Sequence, residues 1–218
     1  MLLTPEQRTK LDETNDALFY QQPRFVTHVD DGFIAQLTAL YREVVPPGGR
    51  VLDLMSSWVS HLPPEVEYGW VEGHGMNGEE LAQNPRLNHF FVQNLNAEPH
   101  LPLPDNDFDA VLNTVSVQYL QQPETVFAEI YRVLKPGGIA VVSFSNRMFY
   151  QKAVQVWRDG SDASHVELVK SYFRFVPGFT EPESRIRQGQ RAAWWEMRLG
   201  QNQNCDPFFA VMARKQSG

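Results

Sequence analysis

The chain has 218 residues, enough for one well-packed core, and its 42% hydrophobic and 21% charged residues are typical of a soluble globular domain. A formal net charge of -7 argues against nucleic-acid binding through phosphate contacts, because that mode needs a basic face. No apolar run approaches the ~18 residues of a membrane span, and the first residues lack the pattern of a secretory signal. We therefore expect a cytoplasmic, single-domain protein without membrane or nucleic-acid partners.

Apolar periodicity and turn residues predict the elements up to the middle of the chain. A helix is predicted over residues 33–44, and the prolines and glycines of 46–49 end it. The next predicted elements are strands at "RVLDLM" (50–55) and "YGWVEG" (68–73), a short helix at "GEELAQNP" (78–85), and strands at "HFFVQNL" (89–95) and "FDAVLNTVSV" (108–117).

The second half begins with a helix predicted over residues 123–134, which starts with proline and ends before "KPGG". A continuous apolar strand, "IAVVSFS", follows from Ile139, as expected of a strand buried on both faces. Helix candidates at 147–158 and 162–174 form an insertion at about 147–175, and "DPFFAVMARK" (206–215) is interpreted as a last edge strand.

Strands that alternate with helices predict an α/β fold with a mostly parallel sheet and helices on both faces. Ligands of such sheets bind beyond the carboxyl ends of the strands, near the point where the strand order reverses. The candidate site is therefore expected at residues 53–58, 72–77, 94–96 and 113–119.

Three segments in order, "RVLDL", "LPLPDNDFDAV" and "VFAEIYRVLKPGGIAVVSFSN", resemble the class I S-adenosylmethionine-dependent methyltransferases of the type-11 group over roughly residues 20–150. The resemblance implies a Rossmann-like, doubly wound, mostly parallel seven-stranded sheet, S-adenosylmethionine as cofactor, and methyl transfer to a small-molecule acceptor. "LDLMSSWVSHLP", "GHGMN" and "SFSNRMF" further resemble a subgroup of methyltransferase-like proteins of cyanobacteria and plants, whose first motif has no glycine.

The cofactor loop of that family would begin at Asp53 and carry three glycines, where this chain has Met55, Ser57 and Val59. Glycines serve there because the backbone must approach the cofactor without a Cβ and with a positive φ where needed. One interpretation is that Ser56 or Ser57 caps a short helix over 56–62 and still meets the cofactor's carboxylate. The alternative is that the Met55 and Trp58 side chains fill the pocket.

The resemblance also places Gly75 where the family has the acid that binds both ribose hydroxyls. Glu72 would replace that acid only through a rearranged turn, and it is otherwise a solvated carboxylate at the strand end. Each charge-assisted hydrogen bond lost would cost about 1.5–3 kcal/mol. Gly73 and Met76 complete the contacts that the resemblance implies at this turn.

Two amides lie at the other strand ends. Asn96 is either a partner of the adenine edge or a turn former before Pro99. Asn113, after the fourth strand, is the candidate for the cofactor's amino group, with Ser116 and Tyr119 beside it. Tyr119 is equally explained as a core residue.

Methyl transfer needs mainly alignment, so a general base is optional. His61, His74 and Tyr119 are weak candidates for catalysis, and any single histidine is more often structural. The segment that this family folds over its cofactor contains Arg24, a candidate partner of the methionine carboxylate, and His28. The histidines have no recognised metal spacing and Cys205 is the single cysteine, so no metal is expected.

The region after residue 146 should shape the acceptor pocket, and its aromatic residues favour a planar or apolar acceptor, although such residues are more often core. They are Phe149, Trp157, Tyr172, Phe173, Trp194 and Trp195. A second hypothesis remains open: without the glycines and the acid, the chain would be a non-catalytic methyltransferase-like fold that binds another ligand or a protein.

Overall fold

The computed structural model of the chain describes residues 2–189 and 205–217. In chain order its helices and strands are α1 (Asp16–Phe19), α2 (Asp31–Val44), β1 (Arg50–Leu54), β2 (Trp70–Gly75), α3 (Gly78–Ala82), β3 (His89–Val92), β4 (Phe108–Thr114), α4 (Pro123–Val133), β5 (Leu134–Phe144), α5 (Gln155–Arg158), α6 (Asp162–Phe175), β6 (Glu183–Arg187) and β7 (Phe208–Arg214), with single 3-10 turns at Glu6–Arg8 and Val117–Tyr119.

The seven strands form one sheet in the order β3-β2-β1-β4-β5-β7-β6. Strands β1 to β5 are parallel to one another, and β7 runs antiparallel to both β5 and β6. This arrangement confirms the predicted α/β fold with a doubly wound, mostly parallel sheet. The strand order reverses between β1 and β4, which makes their carboxyl ends the expected ligand-binding edge.

The two faces of the sheet carry separate hydrophobic layers because side chains alternate along each strand. Helix α2 packs with Val51 and Leu112 on one face, while α4 and α6 pack with Leu52 and Val111 on the other. The spacing in α2 explains its packing: Phe33, Leu37, Leu40 and Tyr41 are buried on one side of the helix.

Three sequence predictions are wrong in detail. The expected helix over 147–158 is reduced to α5, and no helix forms over 56–62. Strand β7 is not at the edge, because β6 pairs with it on its outer side. Trp194 and Trp195 lie outside the described residues. Within the described ranges, no helix has both the length and the apolar character needed to cross a membrane.

Candidate functional site

A cavity opens at the carboxyl ends of β1, β2 and β4, where the fold predicts a ligand. A segment that precedes α2, here called the cover segment (residues 16–29), lies over it. The other lining residues come from the segments 53–61, 74–77, 93–96 and 114–120, with Glu80 from α3 and Phe149.

Met55 begins the loop after β1 and holds a left-handed backbone, with φ of +58°. Its N–H donates to His74 Nδ1 over 3.1 Å, and the Ser56 N–H donates to the His74 carbonyl over 2.6 Å. A left-handed conformation costs a non-glycine residue roughly 1–2 kcal/mol. The loop therefore keeps a glycine-like conformation at the first expected glycine position, with a methionine in it.

The serine hydroxyls of this loop bind carboxylates and cap no helix. Ser56 Oγ donates to Asp53 Oδ2 over 2.6 Å, and Ser57 Oγ donates to Glu80 Oε2 over 2.5 Å. The Ser57 carbonyl accepts from Asn84 Nδ2 over 2.9 Å. These bonds draw the loop toward β1 and α3, which is why the predicted helix over 56–62 does not form.

Asp53 ends β1 beneath the loop, and only 3% of its surface is exposed. Burial raises the pKa of the Asp53 carboxyl to about 6, although the hydroxyl of Ser56 favours the charged form. A carboxyl with a raised pKa stabilises the folded chain below the unfolded pKa, and this contribution is lost as the pH rises through about 6. Ionised Asp53 therefore lowers the stability of the folded chain at neutral pH.

Asp53→Asn is expected to raise the free energy of unfolding by about 3 kcal/mol at pH 7.5 and to change it little at pH 4, because the pKa is raised by about two units, each of which corresponds to ~1.4 kcal/mol. Thermal unfolding between pH 4 and pH 8 measures this. The control is Asp159→Asn, whose side chain is 57% exposed. A substitution at Asp53 that destabilises equally at both pH values would contradict the prediction.

The turn after β2 has no room for the acid that the resemblance expected. An ideal Cβ on Gly75 would lie 2.5 Å from the Ser56 carbonyl oxygen. Glu72 lies outside the cavity lining, where its carboxylate accepts from Trp70 Nε1 over 2.9 Å and contacts His89 Nδ1 at 2.5 Å. Glu72 is thus committed to β2 and β3, and not to the expected ribose position.

Of the two other residues predicted at this turn, one lines the cavity and the other packs behind the sheet. Met76 lines the cavity. Gly73 does not line it, since its Cβ position faces the Leu87 side chain at 2.4 Å. Gly73 therefore allows close packing behind β2, a role other than the predicted cofactor contact.

Asn96 lines the cavity, but its amide is already engaged. Nδ2 donates to Asp16 Oδ2 over 2.9 Å and to the Tyr119 carbonyl over 3.0 Å, while Oδ1 accepts from the Gln121 N–H over 2.8 Å. The side chain thus ties the cover segment to the turn after β4, and an adenine contact would have to compete with these bonds.

Unpartnered polar atoms mark the end of β4. Asn113 Nδ2 donates to the Leu54 carbonyl over 3.3 Å, and its Oδ1 is buried without a partner among the described residues. Ser116 Oγ is likewise buried and unpartnered there, and Ser116 lines the cavity whereas Asn113 does not. Val115 between them has a φ of +46°, which is a strained conformation for a β-branched residue.

The histidines predicted as weak catalytic candidates differ in what they bind. His74 accepts from the Met55 N–H at Nδ1 and donates from Nε2 to the Gln93 carbonyl over 3.0 Å, so both ring nitrogens are used. Burial lowers its pKa to about 4. Burial also lowers the pKa of His61 to about 4, and His61 lines the cavity. His74 therefore has a structural role, whereas His61 faces the site.

Tyr119 lines the cavity and stacks on Phe149 at 6.0 Å between ring centroids. Its Oη accepts from the Phe149 N–H over 2.8 Å, and burial raises its pKa. Tyr119 therefore positions Phe149, the one predicted aromatic residue of the later region that reaches the cavity among those the structure describes. Trp157, Tyr172 and Phe173 are core residues.

The cover segment is fastened to the site at several points. The Arg24 N–H donates to Glu80 Oε1 over 2.7 Å, and its guanidinium donates to the Phe19 carbonyl over 2.8 Å. Trp58 Nε1 donates to the Val26 carbonyl over 3.1 Å, so this tryptophan joins the cover to the loop. The Arg24 guanidinium is thus held within the cover segment.

Two buried lysines also hold the cover segment. Lys10 Nζ lies 2.7 Å from Asp16 Oδ2, and Lys152 Nζ lies 3.3 Å from Asp16 Oδ1. Lys152 Nζ also donates to the Thr14 carbonyl over 2.8 Å. Removing one partner from such a buried network is strongly destabilising, because the remaining charge is left without compensation.

Asp16 and Glu80 are cavity residues that the sequence analysis missed. The signal for Glu80 was present: Asn77 caps α3 by accepting from the Glu79 and Glu80 N–H groups, which marks a helix start with acids in its first turn. Nothing local indicated Asp16. Within the described part of the chain, no group of three or more His, Cys, Asp or Glu side chains is placed to hold a metal ion.

The sequence matches the methyltransferase domain family over residues 76–142. It is 26% identical over 133 residues to the biotin biosynthesis bifunctional protein BioHC of Teredinibacter turnerae, covering 61% of this chain and 21% of that protein. It is 30% identical over 171 residues to the malonyl-[acyl-carrier protein] O-methyltransferase of Geobacter sulfurreducens, covering 67% of this chain and 63% of that protein.

The solved structure of an S-adenosylmethionine-dependent methyltransferase from Thermotoga maritima matches with a TM-score of 0.56 at 18% identity, covering 84% of this chain and 90% of that chain. The chain spans about a quarter of the length of the first curated relatives it matches. The match over residues 76–142 agrees with the resemblance found in the sequence, and the solved structure shows a similar fold.

Proposed function

We propose that the cavity binds S-adenosylmethionine and that the chain transfers its methyl group to a small-molecule acceptor, with the loop after β1 remodelled around larger side chains. The observation that carries this proposal is the left-handed backbone of Met55 at the first expected glycine position. Strain of this kind persists where the backbone path serves a site. We also propose that the chain shares this glycine-free loop with the subgroup that it resembles.

The groups that face the cavity suit this cofactor. Ser116 Oγ is buried and unpartnered among the described residues, so it is available to a polar group of a ligand. Gly75 lines the cavity and, because it has no Cβ, lets the Ser56 carbonyl approach the end of β2 closely. Ser116, the Met55–Trp58 loop and the end of β2 are the parts of the chain that would hold the cofactor.

When bound, S-adenosylmethionine supplies a methyl group on a positively charged sulfur. The chain's contribution is then to align the acceptor and to exclude water, because in-line transfer depends mainly on a near-attack geometry. His61 lines the cavity, but burial lowers its pKa to about 4, so its imidazole is a weak base and serves an acceptor as a hydrogen-bond partner.

Aromatic rings at the cavity favour a planar or apolar acceptor of small size. Phe149 is central to them: its ring centroid lies 5.3 Å from that of His28, 6.0 Å from that of Tyr119 and 6.5 Å from that of Tyr20. Such rings supply a large apolar contact area with defined geometry. We propose an acceptor of this kind, and neither a nucleic acid nor a membrane.

Calorimetric titration with S-adenosylmethionine and S-adenosylhomocysteine tests the proposal, and we expect a Kd in the micromolar range. Ser116→Ala should weaken binding about tenfold without lowering the melting temperature, because this hydroxyl has no partner to lose among the described residues. Ser171→Ala is the control, since Ser171 Oγ donates to the Leu168 carbonyl within α6. Absence of binding at millimolar ligand would contradict the proposal and favour a non-catalytic binding module.

A further inference from the structure

An adenosine-containing ligand presents two neighbouring ribose hydroxyls, and a carboxylate is well suited to accept hydrogen bonds from both. In the part of the chain that the structure describes, three carboxylates line the cavity: Asp16, Asp53 and Glu80. Their surroundings differ enough to decide which of them is available to a ligand.

Asp16 and Asp53 are already committed. Asp16 lies between the two buried lysines and also accepts from Asn96 Nδ2. Asp53 is buried under the loop with the Ser56 hydroxyl on its carboxylate. The charge of Asp16 is therefore compensated by the lysines, and Asp53 lies beneath the loop with 3% of its surface exposed.

Glu80 differs from both because hydrogen bonds hold its carboxylate in place while no cationic side chain among the residues that the structure describes neutralises its charge. Its side chain accepts one hydrogen bond at each oxygen, from the Arg24 N–H and from the Ser57 hydroxyl. Each carboxylate oxygen has two lone pairs, so one acceptor position on each oxygen is left. Among the described residues, no lysine or arginine side chain forms an ion pair with Glu80 within 4.0 Å, as Lys10 does with Asp16.

We propose that Glu80 binds the ribose hydroxyls of the cofactor, from the first turn of α3, where the end of β2 has no space for an acid. The inference rests on the proposed function. Gly75 excludes a side chain at the strand end, and Glu80 carries a carboxylate into the same cavity with 8% of its surface exposed. Because Glu80 also contacts the loop and the cover segment, ribose binding is linked to the position of both.

The test compares S-adenosylhomocysteine with its 2′-deoxy and 3′-deoxy analogues by calorimetry. Glu80→Gln should weaken binding of S-adenosylhomocysteine about 10- to 100-fold, and binding of each deoxy analogue, which keeps one of the two hydroxyls, only about 3- to 10-fold. Glu79→Gln, the neighbouring acid on an exposed position of α3, is the matched control and should change neither affinity. Thermal unfolding checks that each variant is folded, and Glu80→Asp replaces Glu80→Gln if the latter does not fold.

Equal effects of Glu80→Gln on all the ligands, or no effect, would overturn the inference while wild-type binding still supports the proposed function. If the wild-type chain binds none of these ligands, the proposed function itself fails. A selective loss for the ligand with both hydroxyls supports Glu80 as the ribose-binding residue.

Discussion

Gly75→Asp is expected to abolish measurable binding of S-adenosylhomocysteine, although it introduces the acid that the family resemblance places there. The added Cβ would lie 2.5 Å from the Ser56 carbonyl oxygen, which is part of the backbone and cannot rotate away. The loop would have to move, and the 2.6 Å bond from the Ser56 N–H to the His74 carbonyl would be strained or lost. We expect at least a hundredfold loss of affinity and about 2–3 kcal/mol lower free energy of unfolding.

Gly78→Ala is the matched control for this substitution. Gly78 is the first residue of α3, and a Cβ there would lie 3.5 Å from Val92 Cγ2, an ordinary contact. Alanine should therefore leave the affinity unchanged and stabilise the helix by roughly 0.5 kcal/mol. Calorimetry and thermal unfolding measure both quantities. Wild-type affinity in the Gly75→Asp chain would show that the loop is not confined as described.

His74→Phe is expected to lower the free energy of unfolding by about 3 kcal/mol at pH 7.5. The phenyl ring is close in size to imidazole but leaves the Met55 N–H and the Gln93 carbonyl without partners. An unsatisfied buried group costs about 1–3 kcal/mol. Because the lost bond also holds the left-handed turn at Met55, ligand affinity should fall together with stability.

The pH dependence of the stability difference between wild type and His74→Phe shows whether the hydrogen bonds of neutral His74 are its cause. The pKa of His74 falls to about 4 on folding, from an ordinary value of 6.5. Neutral His74 therefore contributes stability that is complete above about pH 6.5 and is lost as the pH falls through about 4. The difference between wild type and His74→Phe should shrink toward pH 4. His100→Phe, with a side chain that is 72% exposed, should stay within about 0.5 kcal/mol throughout. A difference independent of pH would contradict this account.

The strands of the central sheet were predicted well from the sequence. They are buried on both faces, so they are largely runs of apolar residues. Strand β1, the most apolar part of β5, and the amphipathic helices α2 and α4 all follow their patterns closely. Strand β6 was missed for the opposite reason: most of "ESRIR" is exposed at the edge of the sheet, so it carries no apolar signal. Because β6 was not predicted, the neighbouring β7 was wrongly placed at the edge of the sheet.

The site was harder to predict than the fold, because its contacts join residues far apart in sequence. The serines of the loop suggested a helix cap, but their hydroxyls bind Asp53 and, 23 residues beyond Ser57, Glu80. Glu72 looked available at a strand end, yet Trp70 and His89 occupy its carboxylate. Local sequence patterns contain no information on such pairs, whereas the position of the cavity itself followed from the strand order.

The buried attachment of the cover segment to Lys152 has a consequence for synthesis on the ribosome. Residues 16–29 are made before any strand, but Lys152 follows β5, so the amine that anchors Asp16 emerges more than a hundred residues later. Domains emerge from the amino terminus onward during translation. The first five strands of the sheet are therefore made before the last buried anchor of the cover segment, and nascent chains that stop short of Lys152 should expose residues 16–29 to proteases more than the full chain does.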